Sequence, residues 1–365
     1  MTNLTGNPEI QFVEPIPSYV LQFAAESGLR EIVRFPFPGG ITTNYLGKTV
    51  DGVEFELMVT NSGIRSDNNG FHHRKPGPLQ ALRLIGIMDT ASEKGIVIPR
   101  VNASRTTTDK DGTAHDLLLV EYIEGSNLLE MAISGDLNEH PAIQSLGGYI
   151  ARRERANKGI SPESIAQRSK RPSVEDYRGV FMQNANEWLQ SSIANINSKV
   201  GDPILRDNLT DLLTHLGNTA ALVEPSLLGI GGMHGDPNYS KLKFTAEGKL
   251  VVTGFHKDTS WYLNGYDIAS HISYAAVQLA SLLELDSIKL VTNLFREYLN
   301  NLTPLELIKR QESLLPVIAQ RLIGDSWGVI SNPTTQEGLS VDLTRVYGNV
   351  SQLMPIIRDM LANHS

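Results

Sequence analysis

The chain has 365 residues, 41% hydrophobic and 20% charged, an ordinary globular balance with length enough for two lobes that each bury a core. A formal charge of −8 argues against a nucleic-acid partner, because a phosphate backbone needs a basic face. Cysteine is absent, which removes disulfides and thiolate chemistry; no apolar run approaches the ~20 residues that cross a bilayer, and Met1–Thr5 lacks signal-peptide character, so a cytoplasmic protein with no membrane partner is expected.

Taken in chain order, the spacing predicts a short helix over 18–27, with Tyr19, Leu21, Phe23 and Ala24 as its apolar side. β structure follows from Glu31 to Thr60. A glycine-containing turn at Gly39-Gly40-Ile41-Thr42-Thr43 leads into a strand over 44–50, and Asp51-Gly52 signals a tight hairpin to a partner strand over 53–59. The polar stretch 61–77 reads as a loop, and it includes His72-His73-Arg74-Lys75. A helix is predicted over 78–94, then strands over 97–103 and 117–122, with the lobe boundary at residue 125.

From there the pattern turns helical, with helices near 126–133, 142–157, 174–198 and 204–222. The run Arg152-Arg153-Glu154-Arg155 reads as an exposed, solvated helix face. A short β pair is expected over 241–253, with Lys241 and Lys243 alternating towards solvent. Three long helices close the chain. Ile288, Val291, Phe295 and Tyr298 mark the core face of the first, Thr303 and Glu306 form a capping box at the start of the second, and Pro355 lies within the third, over 343–361.

One constellation carries chemistry. Met233-His234-Gly235-Asp236 is followed by Phe244, a Glu247-Gly248-Lys249 turn and Gly254-Phe255-His256. Together with Gly39-Gly40-Ile41-Thr42-Thr43-Asn44-Tyr45, Leu118-Leu119-Val120-Glu121-Tyr122-Ile123-Glu124-Gly125 and Gly265-Tyr266-Asp267-Ile268-Ala269, in this order and spacing, it resembles the aminoglycoside phosphotransferase or choline-kinase-like family over nearly the full chain. The resemblance implies an α+β, two-lobed protein-kinase-like fold. An antiparallel-sheet N-lobe would occupy 1–125 and a mainly helical C-lobe 126–365.

The resemblance also assigns roles. Asp236 falls on the catalytic base and His234 on its structural support. Gly39, Gly40, Thr42 and Thr43 fall on the nucleotide loop; Glu121, Tyr122 and Ile123 fall on the hinge. Asp267 braces the catalytic turn from a helix start. Family asparagine and aspartate metal ligands fall on Lys241 and Gly254, and the phosphate-pairing cation on Met58. An ammonium repels magnesium, and glycine has no side chain to ligate it. Losing one preorganised charge-stabilising group costs on the order of 10²–10³ in rate, and a base alone restores about 10²–10⁴.

The leading expectation is therefore a pseudokinase, with no metal site and no ATP or Mg cofactor. It would hold a small molecule or peptide in an interlobe cleft lined by Asn238, Lys241, Gly254, His256 and Asp258, or catalyse a reaction other than phosphotransfer. Two alternatives stay open. One is an active ATP- and Mg-dependent small-molecule O-phosphotransferase with Asp236 as base and the metal on groups such as Asn238 or Asp258. The other is a non-catalytic regulatory partner of another enzyme.

Overall fold

The structure is a computed structural model that describes residues 16–34, 42–61, 65–66, 72–73, 96–97, 99–134, 141–155, 174–232, 239, 242–252, 261–282, 286–332 and 341–364. Two compact units divide the chain, one from 1–79 and 99–122, the other from 80–98 and 123–365.

The first unit opens with α1 (Ser18–Glu26), which buries Val20, Phe23 and Ala24. The predicted helix is present, but Leu21 is 45% exposed and Val20 takes its place in the core. Phe23 and Ala24 are buried as read and Tyr19 packs at the edge of the core, while 20, 23 and 24 complete the i, i+3, i+4 stripe that Leu21 falls outside. β1 (Leu29–Arg34), β2 (Thr42–Thr49) and β3 (Glu54–Asn61) follow as an antiparallel meander. Gly52 takes φ +83 in the β2–β3 turn, the left-handed conformation that the Asp-Gly signal anticipated. The 61–77 stretch, read as a loop, contains the paired short strands β4 (Arg65–Ser66) and β5 (His72–His73). The helix predicted over 78–94 lies outside the described residues.

The strand predicted over 97–103 divides. Its first residues form β6 (Ile96–Val97), which belongs to the second unit, and the rest lengthens into β7 (Val101–Thr108). β8 (Ala114–Glu121) completes an antiparallel sheet in the order β1-β2-β3-β8-β7. Its Leu117, Leu118, Leu119 and Val120 are all buried, so both faces of this strand are covered. One face, carrying Tyr45, Leu57, Val59, Leu117 and Leu119, packs on α1.

The β7–β8 turn is organised by Asp109. One carboxylate oxygen accepts from the N–H groups of Asp111 and Thr113, both at 2.9 Å, and the other pairs with His115 Nε2 at 2.8 Å. Tyr19 of α1 stacks on the His115 ring, with centroids 4.8 Å apart. The hydrogen bond from His115, then the Thr113 amide, holds the Asp109 carboxyl below its usual range. A depressed carboxylate adds stability above its unfolded pKa, and that stability is lost as pH falls through the lower native value. Amide protection at Asp111 and Thr113 is therefore expected to weaken as pH drops below about 4, and Asp109→Asn should flatten this dependence in a hydrogen-exchange pH series.

The second unit is mainly helical. β9 (Ser126–Asn127) precedes α2 (Leu128–Ser134) and α3 (Pro141–Arg155). α4 (Val174–Lys199), α5 (Pro203–Ala220) and the single turn α6 (Pro225–Leu228) lead to β10 (Ile230–Gly232). β11 (Leu242–Phe244) and β12 (Leu250–Val252) form the anticipated hairpin, flanked by β9 and by β6, which runs parallel to β12. β13 (Trp261–Leu263) returns to pair with β10, and α7 (Tyr266–Ser273) runs on through a π-helical turn at Tyr274–Leu279.

α8 (Ser287–Asn300), α9 (Pro304–Ser331) and α10 (Leu343–Asn363) complete the unit. The capping box is present: Thr303 Oγ1 accepts from the Glu306 N–H, and Glu306 Oε2 accepts from the Thr303 N–H at 2.8 Å. α9 is the hub and packs on α4, α5, α7 and α10. Among the described residues, no helix is long and apolar enough to cross a membrane.

The charge run on α3 departs from its reading. Arg153 and Glu154 are only 3% and 6% exposed, because α3 is packed between α8 and β10. Arg153 Nη1 donates to the Tyr149 hydroxyl at 2.7 Å, and Glu154 enters a buried network described below. Composition alone assigns such a run to solvent; the helix–helix contact overrides it.

Candidate functional site

In the second unit, two short β pairs border the chain segments that contain most of the nominated residues. β10 and β13 form an antiparallel ribbon with Ile230 opposite Leu263 and Gly232 opposite Trp261. By chain connectivity, Gly232 leads straight into Met233, and Trp261 receives the chain from residue 260. His234, Asp236, Asn238, Lys241, Gly254, His256 and Asp258 themselves lie outside the described residues, as do Gly39 and Gly40.

Tyr239, three residues after Asp236, is fully buried. Its ring stacks with His271 and packs against Tyr274, at centroid distances of 5.9 and 5.3 Å. Burial, then the neighbouring Tyr274, pushes its phenol pKa well above the ordinary value, so Tyr239 stays neutral. Among the described residues its hydroxyl has no hydrogen-bond partner. Asp267, in the first turn of α7, is 2% exposed. Lys243, expected to face solvent, is half-buried, and its Nζ donates to the Ile123 carbonyl at 3.4 Å. Ile123 thus lies beside β11, in the same unit.

In the first unit, Thr42 and Thr43 lie on β2 opposite Thr60 and Val59. Met58 is in the middle of β3, opposite Asn44 on one side and Leu118 on the other, and is 9% exposed. Directly opposite residues share a face, so Asn44, Met58 and Leu118 form one row across the sheet, on the face away from α1. Glu56, two residues back on β3, shares that face and is 7% exposed. Lys48 also lies on this face, but it is closed onto Glu54 at 2.9 Å, roughly 13 Å along the strand from Met58. Glu121 is exposed and Tyr122 half-buried at the end of β8, where the Tyr122 N–H donates to the Glu54 carbonyl at 3.4 Å.

A group that the residue patterns did not nominate lies at the base of the ribbon. Glu154 Oε1 accepts from the Gly265 N–H at 2.7 Å, and Oε2 accepts from Arg310 Nη2 at 2.7 Å and from the Tyr298 hydroxyl at 2.9 Å. Arg310 Nε donates to the Tyr298 oxygen at 3.0 Å, and Nη1 to the Leu228 carbonyl at 3.4 Å. Burial works against the Arg310 charge, but Tyr298 and Glu154 outweigh it and hold its pKa above the ordinary value. The partners are 144 and 156 residues from Glu154, so no local pattern announces them.

Elsewhere in this unit, a cavity of about 270 Å³ opens between α5 and α10, lined in part by Asp211, His215, Tyr347, Met354 and Arg358. None of the nominated residues lines it.

Neither a family model nor a curated protein matches this sequence. Solved structures do. An amicoumacin kinase in complex with AMP-PNP and Ca2+ superposes with a TM-score of 0.54 at 14% identity, covering 94% of each chain. An AMP-bound spectinomycin phosphotransferase gives 0.55 at 10% identity, covering 93% of this chain and 98% of its own. The complex of that enzyme with ADP and spectinomycin gives 0.51 at 10% identity, covering 93% and 100%. At such identities the likeness is one of fold.

Proposed function

We propose that this chain, which has the α+β protein-kinase-like fold of the small-molecule phosphotransferases, is a pseudokinase. It does not carry out metal-dependent ATP phosphotransfer. Its second unit holds a small molecule or peptide at the 233–258 segment, or turns that ligand over by other chemistry. Met58 is the observation that carries the reading. The resemblance puts the phosphate-pairing cation at this position, in the centre of β3 between Asn44 and Leu118. A thioether offers a polyphosphate no charge and only a weak acceptor. Phosphoryl transfer relies almost wholly on positioning and charge neutralisation, so a site without the cation loses its main source of rate. Lys241 and Gly254, at the two metal-ligand positions of the sequence, support the same reading.

The test is a thermal-shift titration of the full chain with ATP, with and without magnesium. A ligand at 100 times its dissociation constant stabilises the native state by about 2.7 kcal/mol. No magnesium-dependent shift is expected at millimolar ATP. A clear magnesium-dependent shift would sink the proposal and favour the active phosphotransferase with Asp236 as base.

A further inference from the structure

The β10–β13 ribbon has three residues on each strand, too few to hold its own register. Both of its chain ends, Leu228–Gly229 and Asn264–Gly265, are instead tied together. The Asn264 N–H donates to the Gly229 carbonyl at 3.0 Å, and Asn264 Nδ2 donates to the Leu228 carbonyl at 2.9 Å. Arg310 donates to the Leu228 carbonyl, and its ion-pair partner Glu154 accepts from the Gly265 N–H. Gly265 has little freedom to adjust. Its φ is +88, and a Cβ there would come within 2.4 Å of Leu314 Cδ1.

A buried ion pair is seldom more stabilising than apolar residues of similar volume, because desolvation offsets the attraction. Here it meets a need that apolar side chains cannot. The ribbon base buries main-chain groups, and each needs a partner.

We propose that Glu154 is the positioning residue of the β10–β13 ribbon. Acting through Gly265, and with Arg310 as its counter-charge, it fixes the base and register of the ribbon whose strands run into and out of residues 233–260. This inference rests on the geometry of the ribbon and does not depend on whether the chain takes ATP.

The test compares two double variants of the full chain by hydrogen exchange. Glu154→Leu with Arg310→Met removes both charges and the acceptor for Gly265. Glu154→Gln with Arg310→Met removes both charges and keeps an acceptor oxygen. In the first, exchange at 230–232, 261–263 and Gly265 should accelerate about tenfold or more, while α8 and α9 amides keep their protection. In the second, ribbon protection should return to within about threefold of the unsubstituted chain. A rescue of this kind separates the acceptor at Gly265 from general packing. Equal ribbon exchange in the two variants, or acceleration spread evenly through α8 and α9, would overturn the proposal. Should the leucine variant fail to fold, the glutamine variant decides alone: ribbon protection within threefold supports the proposal, and a tenfold loss overturns it.

Discussion

Arg310→Met alone is expected to destabilise the second unit by about 3–5 kcal/mol, because it leaves the Glu154 carboxylate buried without its counter-charge. Glu154 would keep only the Gly265 N–H and the Tyr298 hydroxyl, two donors that do not neutralise it. Its 6% exposure leaves water little access. A unit of this size loses roughly 2–4 °C of melting temperature per kcal/mol, so a fall of roughly 6–20 °C is expected in circular dichroism melts. Adding Glu154→Leu to Arg310→Met should recover only part of that loss, since the apolar pair has no charge to desolvate but leaves the Gly265 N–H and the Tyr298 hydroxyl without their acceptor. A single variant as stable as the unsubstituted chain would mean that water reaches Glu154.

Leu57→Ala should cost the first unit about 2–5 kcal/mol, the range for deleting a buried leucine side chain and leaving a cavity. Leu57 is fully buried at the centre of β3 and packs with Val20 and Phe23 of α1 and with Leu117 and Leu119 of β8. Val50→Ala is the control. At 75% exposure in the β2–β3 turn it should stay within about 0.5 kcal/mol. The two compact units need not unfold together, so the first transition of a urea titration is the quantity to compare. Equal effects of the two substitutions would mean that α1 does not close the core over β3.

The two variants also mark where sequence reading works. Leu57 and Val59 alternate with Glu56 and Met58, and a period of two is enough to place them on opposite faces of a strand. The β2–β3 hairpin followed from Asp51-Gly52, and the start of α9 from Thr303 and Glu306, because turns and caps are made by neighbours in sequence. The kinase-like fold was legible for a different reason. Motifs such as Gly265-Tyr266-Asp267-Ile268-Ala269, in their order and spacing, carried the resemblance, and the solved structures that share the fold are only 10–14% identical.

The ribbon was not legible. Ile230-Gly231-Gly232 has no alternation and little β propensity, and it becomes a strand only because Trp261-Tyr262-Leu263 lies beside it. Val97 read as the start of the strand that became β7, yet with Ile96 it pairs with β12, about 150 residues away in the second unit. Glu154 was hidden in a charged run that resembles a solvated helix face.

The kinase-like fold, the helices with clear apolar stripes, and the local caps and turns were legible in the chain. Local periodicity and side-chain chemistry encode those features within a few residues. Which charges are buried, and what they hold, follows from contacts between distant helices. Glu154 meets Arg310 and Tyr298 because α3, α8 and α9 converge on the base of the ribbon. No window of sequence contains that convergence, and its physical origin is the demand of buried main-chain groups for partners that only distant helices can supply.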